Sequence, residues 1–275
     1  MKKLLESLLE QDSIFKPPTE EELEQRREEF EQRKIEEFVK KYNGKLNSDG
    51  SYDFDVDIKD VSGIIRDGKF IIKFGKVKGD FYCSYNKLTS LEGAPKYVEG
   101  YFDCSHNKLT SLEGAPKRVG GDFYCSYNKL TSLEGAPKYV GGYFGCSDNN
   151  LTSLEGAPER VKREFNCSYN NLTSLKGAPK YVGGYFNCSG NNLTSLEGAP
   201  KYVGGYFNCS DNQLTSLKGA PERVEGGFYC SDNKLTSLKG VPKYVGGDFE
   251  CRDNPVKFTE EEVRKVSEVK GRIIV

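Results

Sequence analysis

Nine cysteines stand 21 residues apart, at Cys83, Cys104, Cys125, Cys146, Cys167, Cys188, Cys209, Cys230 and Cys251. A set of thiols invites a metal site, a redox pair or a disulfide framework. Metal ligands must converge on one point, whereas one thiol per 21 residues makes a ladder. Neighbouring rungs have an acceptable Cα separation for a disulfide but poorly aligned Cβ vectors. The expectation is therefore a column of small buried residues with free thiols, which implies a reducing compartment. His106 is the only histidine. As a general base it would need a nucleophile and an orienting partner; Asp103 is near in sequence, but no strained serine or activated thiol accompanies it. Asn-x-Ser/Thr triplets at Asn150, Asn166, Asn171, Asn187, Asn192 and Asn208 have the spelling of glycan acceptors, yet they recur only because the period does. The Gly-Gly-x-Phe steps lack the Gly-x-Asp phase and the nine-residue period of calcium-binding repeats. No catalytic, cofactor or metal residue is assigned, and no enzyme is expected.

The elements that position these residues follow from the period. Around each cysteine one phrase recurs, as in Val119-Gly120-Gly121-Asp122-Phe123-Tyr124-Cys125-Ser126-Tyr127-Asn128-Lys129-Leu130-Thr131-Ser132-Leu133-Glu134-Gly135-Ala136-Pro137-Lys138-Tyr139. Eight full copies run from Phe81 to Asp248, and a ninth begins at Phe249 and breaks off after Val256. A fixed period of this length marks a solenoid. Phe123 and Cys125 alternate with Asp122, Tyr124 and Ser126, the pattern of a short strand with one buried face. Leu130, Leu133 and Val119 also face inward, and Gly135 and Pro137 bend the return path. One coil buries too little to offset the entropy of ordering it, so coils must stack, with parallel strands and like side chains in register. The Asn column from Asn86 to Asn254 suits the turn, because an amide both donates and accepts.

Composition narrows the function classes. The 275 residues carry 40 Lys and Arg against 41 Asp and Glu, a net charge of -1, so bulk attraction to nucleic acid is not expected. Hydrophobic content of 36%, 30 glycines and a mean hydropathy of -0.65 suit a thin repeated core. Glu6 and Glu10 interrupt the leucines of the amino-terminal segment, so no signal peptide is assigned. No run of 18 apolar residues exists, so no membrane association is expected.

The phrase Phe102-x-Cys104-x-x-Asn107-x-Leu109 resembles the Leu-x-Leu-x-x-Asn-x-Leu motif of the leucine-rich-repeat family, over residues 77 to 258. The Gly and Pro of the return segment are similar to the short bacterial class. The Cys-Ser-x-Asn-x-Leu-Thr-Ser-Leu-x-Gly-Ala-Pro wording is similar to repeat proteins of large tailed phages. One departure is the Gly-Gly pair, for instance Gly141-Gly142, where the short bacterial class has a tighter step. The fold expected is a leucine-rich-repeat-like repeat solenoid of about nine coils, one short parallel strand per coil, roughly 40 Å long. Residues 1–50 read as a helical extension and linker, 51–80 as an irregular first coil, 81–258 as the solenoid and 259–275 as a cap. Thr19 with Glu22 forms a capping box for a helix over about 19–42, with i,i+4 pairs Glu22–Arg26, Glu29–Arg33, Glu36–Lys40 and Glu37–Lys41. Its narrow stripe of Leu23, Phe30, Ile35, Phe38 and Tyr42 either docks on the first coil or meets another chain. Leu4, Leu5, Leu8 and Leu9 mark a short amphipathic segment ahead of it. Thr259 with Glu262 starts the capping helix, whose stripe is Val263, Val266 and Val269, with Phe258 and Val263 as a hydrophobic staple.

Sameness and variety among the copies locate the candidate site. Core columns hardly change, while outward strand positions differ. One outward column includes Tyr101, Tyr143, Tyr185, Tyr206 and Asp248; the next includes Tyr82, Asp103, Tyr124, Asn166, Asn187, Asn208, Tyr229 and Glu250. Beyond a nearly uniform Ser column, a third contains Tyr85, His106, Tyr127, Asp148, Tyr169, Asp211, Asp232 and Asp253. In the resembled family this strand face is the concave binding surface, and Tyr, Asn, Asp, Ser and Gly suit recognition. Aromatic and lysine residues gather toward the first coils and carboxylates toward the last, so a partner with a matching charge gradient is expected. The partner is another protein, and the resemblance to phage proteins implies action in the cytoplasm of an infected bacterium, on a host protein. Attachment to a virion through the amino-terminal helices and recognition of carbohydrate are the alternatives.

Overall fold

A computed structural model describes residues 17–275. The amphipathic segment of Leu4, Leu5, Leu8 and Leu9 lies outside the described residues. The chain winds as a solenoid of about 11 coils, two more than the motif marks. Coils at each end keep the backbone course without the motif.

Each coil holds two short strands where the sequence led us to expect one. Tyr139–Val140 and Phe144–Gly145 represent the two kinds, which build a 12-stranded and a 10-stranded sheet. Pairing is parallel and shifted by one repeat, so Phe123 lies between Phe102 and Phe144, and Val119 pairs with Val140. The Val strand left no alternation in the sequence because two residues cannot show a period. The Gly-Gly step is the corner between the two strands. A Cβ on Gly141 would collide with the Gly120 carbonyl oxygen of the coil below, and one on Gly142 with the Asp122 carboxylate. Successive corners nest at strand spacing only without side chains.

The return path closes through a β-turn. The Ala94 N–H donates to the Leu91 carbonyl at 2.9 Å, and Gly93 between them has φ 86°. That is a type II turn, whose third position requires positive φ and hence glycine. The same turn recurs from Leu112 to Ala115 and from Leu133 to Ala136.

Inside, Phe123, Cys125, Leu130, Leu133 and Val140 are fully buried. The Phe rings form a continuous stack, with centroids 5.5 Å apart for Phe81–Phe102 and 5.2 Å for Phe144–Phe165. All nine thiols are buried and unbridged. Each donates along the axis where the geometry allows, as from Cys125 Sγ to the Gly145 carbonyl at 3.3 Å. Burial pushes the thiols from Cys83 to Cys230 above their ordinary range, Cys125 and Cys167 among them, while Cys251, beside Cys230, is lowered. The asparagines bind coil to coil. Asn149 Nδ2 donates to the carbonyls of Cys125, Cys146 and Ser147, and its Oδ1 accepts the Leu130 N–H at 3.0 Å.

Both ends are covered. Helix α1 (Glu20–Tyr42) starts with the Thr19/Glu22 capping box, and its carboxy-terminal half docks on the first coil. Phe38 meets Phe54 and Phe74 edge-on, at 5.7 and 5.8 Å. Its amino-terminal half projects, leaving Leu23 and Phe30 about half exposed (51% and 49%). Ion pairs on α1 run Glu24–Arg27 and Lys34–Glu37, at i,i+3 instead of the expected i,i+4. Exposed pairs of either spacing gain so little that rotamer preference decides. Helix α2 (Glu260–Val266) has its capping box and buried Val263, but ends sooner than the valine spacing implied. Val266 is exposed, and Val269 lies in a strand against Val245. Ile273 then pairs with Phe249, so the cap is itself a coil in which a helix replaces the Leu-Thr-Ser-Leu segment. Continuing both sheets satisfies edges that a longer helix would leave open.

Candidate partner-binding face

The outward residues of the Phe strands divide by what they touch. One group serves its own backbone. Asp80 and Asp122 accept the hydroxyls of Tyr82 and Tyr124, at 3.1 and 2.8 Å, and also the N–H groups of Tyr101 and Tyr143 one coil on. The side chains of Asp103 and Asn166 accept from the N–H and hydroxyl of Ser105 and Ser168. Asn187 and Asn208 accept the N–H groups of Ser189 and Ser210. Asp248 is clamped by Arg272, which holds its carboxyl below the usual carboxylate range, and Glu250 is paired with Arg252.

A second group forms a tyrosine ridge along the middle coils. Tyr185 and Tyr206 stack at 4.5 Å, Tyr206 tilts onto Tyr229 at 5.7 Å, and Tyr124 meets Tyr143 at 5.2 Å. Glycines make room for it. A Cβ on Gly145 would strike the Tyr143 ring, and one on Gly227 would come within 2.5 Å of the Tyr229 hydroxyl. Partial burial pushes the Tyr206 phenol up to about 12 and raises those of Tyr143 and Tyr185 above their ordinary value.

The third group is the column beyond the serines, and all of it lies in the left-handed region. Tyr85, His106, Tyr127, Asp148, Tyr169, Asp211, Asp232 and Asp253 have φ between 53° and 59°, and Gly190 has 65°. Asp and Gly are the residues this conformation tolerates. Asp148, Asp211, Asp232 and Asp253 therefore have a backbone reason for their identity. Among the four rings of the column, tyrosine at such φ values is an outlier, whereas histidine is more readily accommodated. Three of the four stand side by side: His106 is sandwiched between Tyr85 at 4.2 Å and Tyr127 at 4.3 Å, with interplanar angles of 10° and 9°. Tyr85 and Tyr127 are 73% and 51% exposed, so burial does not hold them there. The fourth, Tyr169, lies over Gly190, where a Cβ would come within 2.7 Å of its ring.

One feature of the other sheet was missed from the sequence. The residue before each Val forms a column of Tyr97, Arg118, Tyr139, Arg160, Tyr181, Tyr202, Arg223 and Tyr244. Guanidinium groups stack on the next ring: Arg118 over Tyr139 at 3.9 Å, Arg160 over Tyr181 at 4.0 Å and Arg223 over Tyr244 at 3.8 Å. The alternation repeats every 21 residues, so it shows only when the copies are aligned column by column.

In-register stacking of near-identical coils with mixed polar and aromatic outer columns defines a repeat solenoid, and the 21-residue parallel coil fits a leucine-rich repeat. No family model matches the sequence, and no curated protein does. Among solved structures the chain is similar to YopM from Yersinia enterocolitica WA-314, with 21% identity over 68% of this chain and a TM-score of 0.49. The match takes in 46% of that chain, so the similarity spans about half its length. No helix among the described residues is long and apolar enough to cross a membrane.

Proposed function

We propose that the protein is a non-enzymatic binding scaffold that recognises a partner protein through its Phe-strand face, with Tyr85, His106 and Tyr127 as the anchor. The observation that carries this reading is the strained stack. Left-handed backbone costs a bulky residue such as tyrosine on the order of 1–3 kcal/mol, and later coils lower that cost with Asp or Gly at the same position. Two exposed tyrosines kept there around a half-buried histidine need a reason other than folding, and rigid aromatic rings are what binding surfaces use as anchors. The tyrosine ridge from Tyr143 to Tyr229 continues the contact surface along the axis, and the carboxylates of Asp211, Asp232 and Asp253 give its far end the opposite character. The resemblance to repeat proteins of tailed phages supports a partner among the proteins of an infected bacterium.

The test replaces Tyr85, His106 and Tyr127 together with Asn, which tolerates the same φ without adding charge. Far-UV circular dichroism and the urea midpoint stay within about 1 kcal/mol of the parent, since relieved strain offsets lost stacking. A partner captured by the parent from bacterial lysate and identified by mass spectrometry is lost by the variant. Capture of that partner undiminished by the triple substitution overturns the assignment.

A further inference from the structure

The Val-strand side of the coil carries a run of exposed cations over its middle coils. From Lys117 to Lys201 its two outward columns present Lys117, Arg118, Lys138, Arg160, Lys180 and Lys201, all exposed. None of the six has an ion-pair partner among the described residues, and Glu159 is the only carboxylate in those columns over that span. Both ends of the same stripe are neutralised: Lys76 pairs with Glu99, Lys96 with Asp49, Arg223 with Glu225 and Lys243 with Glu222. Lys162, on the neighbouring corner, adds a further cation over Tyr139 at 5.6 Å and lowers that phenol by hydrogen bonding to it.

We infer that this stripe docks the protein on an anionic phospholipid surface. In-register strands set its side chains one coil per step, Arg118 beside Tyr139 and Arg160 beside Tyr181. Four steps of about 4.8 Å give roughly 19 Å of aligned cation. Double-stranded DNA offers phosphates at about 3.4 Å of rise per strand, out of step with the coils. Single strands are held on open aromatic faces, and here Tyr139 and Tyr181 each have one face under a guanidinium, while Tyr181 and Tyr202 stack on each other at 5.0 Å. An extended acidic peptide repeats its same-side groups at about 6.8 Å, out of step with the coils. Lipid headgroups diffuse laterally and need no register. Tyrosine belongs at that interface, with the ring against apolar groups and the hydroxyl wet. Lysine stems can lie along the stripe while their ammonium groups reach the lipid phosphates.

Cosedimentation of the full chain with vesicles tests this, comparing phosphatidylcholine alone with phosphatidylcholine containing phosphatidylserine. Binding to the anionic vesicles only, falling as salt rises, is the expected result. Replacing Lys117, Lys138, Lys180 and Lys201 with Glu weakens it on the order of a thousandfold. The control reverses the same number of charges on a different column, Lys87→Glu, Lys108→Glu, Lys129→Glu and Lys234→Glu, and leaves binding within about threefold of the parent at equal salt. No preference of the parent for anionic vesicles overturns the inference, as does equal loss in both variants. Preferential capture of DNA or an acidic polysaccharide at the same stripe also overturns it.

Discussion

Removing one asparagine of the inner column should cost an amount that depends on its place in the stack. Asn149 is buried, and its amide serves three carbonyls and one N–H, those of Cys125, Cys146, Ser147 and Leu130. Two amide hydrogens and one acceptor amount to about three net hydrogen bonds, each near 1 kcal/mol, and the stranded partners are out of reach of water. Asn149→Ala therefore costs roughly 3–5 kcal/mol. Asn254 makes the same set of contacts, but at the open end, where its partners are part-buried or exposed. Water replaces most of what is lost, and Asn254→Ala costs roughly 1–2 kcal/mol. Asn86 opens the column and makes one side-chain bond, to the Ser84 carbonyl at 2.7 Å, so its loss costs under about 1 kcal/mol. Asn149→Asp keeps the acceptor but turns a carboxylate toward three carbonyl oxygens, and is at least as harmful as Ala. The assay is urea unfolding followed by circular dichroism, comparing midpoints, because repeat arrays need not unfold in one step. Equal losses at Asn86 and Asn149, or a neutral Asn149→Leu, would show that the amides do not carry the inter-coil bonding assigned to them.

Three further outcomes follow from the same geometry. Burial raises the native thiols from Cys83 to Cys230, while an unfolded thiol ionises near pH 8.5; the folded chain then holds more protons, so stability is flat up to about pH 8.5 and falls above it by as much as roughly 1.4 kcal/mol per pH unit per thiol. A urea midpoint that stays constant across the alkaline range contradicts this. Gly141→Ala forces a methyl into the Gly120 carbonyl and costs roughly 3 kcal/mol or more, whereas Gly63→Ala meets nothing within 4 Å and stays within about 0.5 kcal/mol, as thermal melts would show. Phe38→Ala removes the plug over Phe54 and Phe74 and costs roughly 3–4 kcal/mol, while Phe30→Ala on the projecting half of α1 changes the midpoint by less than about 0.5 kcal/mol.

The coil was largely legible because its rules act through spacing. Phe, Cys, Leu and Val at fixed positions are the buried set, and the asparagines sit where an amide was needed. The second strand was not legible, since Tyr139–Val140 is held by backbone bonding between coils and leaves no alternation. The end of α2 was misjudged for a related reason. Val263, Val266 and Val269 match a helical turn, but Val269 also matches the Val column of the sheet, and pairing with Val245 wins because it closes an edge. Of the candidate face, the residues could be named but not their duties. That Asp122, Asn166 and Asn187 are spent on local backbone bonds, and that Tyr85 and His106 share a left-handed backbone, are facts of φ and hydrogen bonding that residue identity alone does not carry.

The variation on that face is correlated, which bears on whether it is drift. Recently duplicated repeats accumulate changes on exposed columns without consequence, and such changes would be independent of one another. Here each glycine of the outward columns coincides with a tyrosine that needs its space: Gly145 under Tyr143, Gly227 under Tyr229 and Gly190 under Tyr169. Two of the pairs lie within one coil and one spans two, so the fit is not a by-product of copying a whole repeat. Likewise, three of the four aromatic residues at left-handed positions stand in consecutive coils, where each ring can rest on the next. A surface shaped only by tolerance would return these positions to Asp or Gly, as four later coils do at Gly190, Asp211, Asp232 and Asp253. On the proposed reading, strain kept in contiguous coils and mutually supported is what a surface held in shape for a partner would retain.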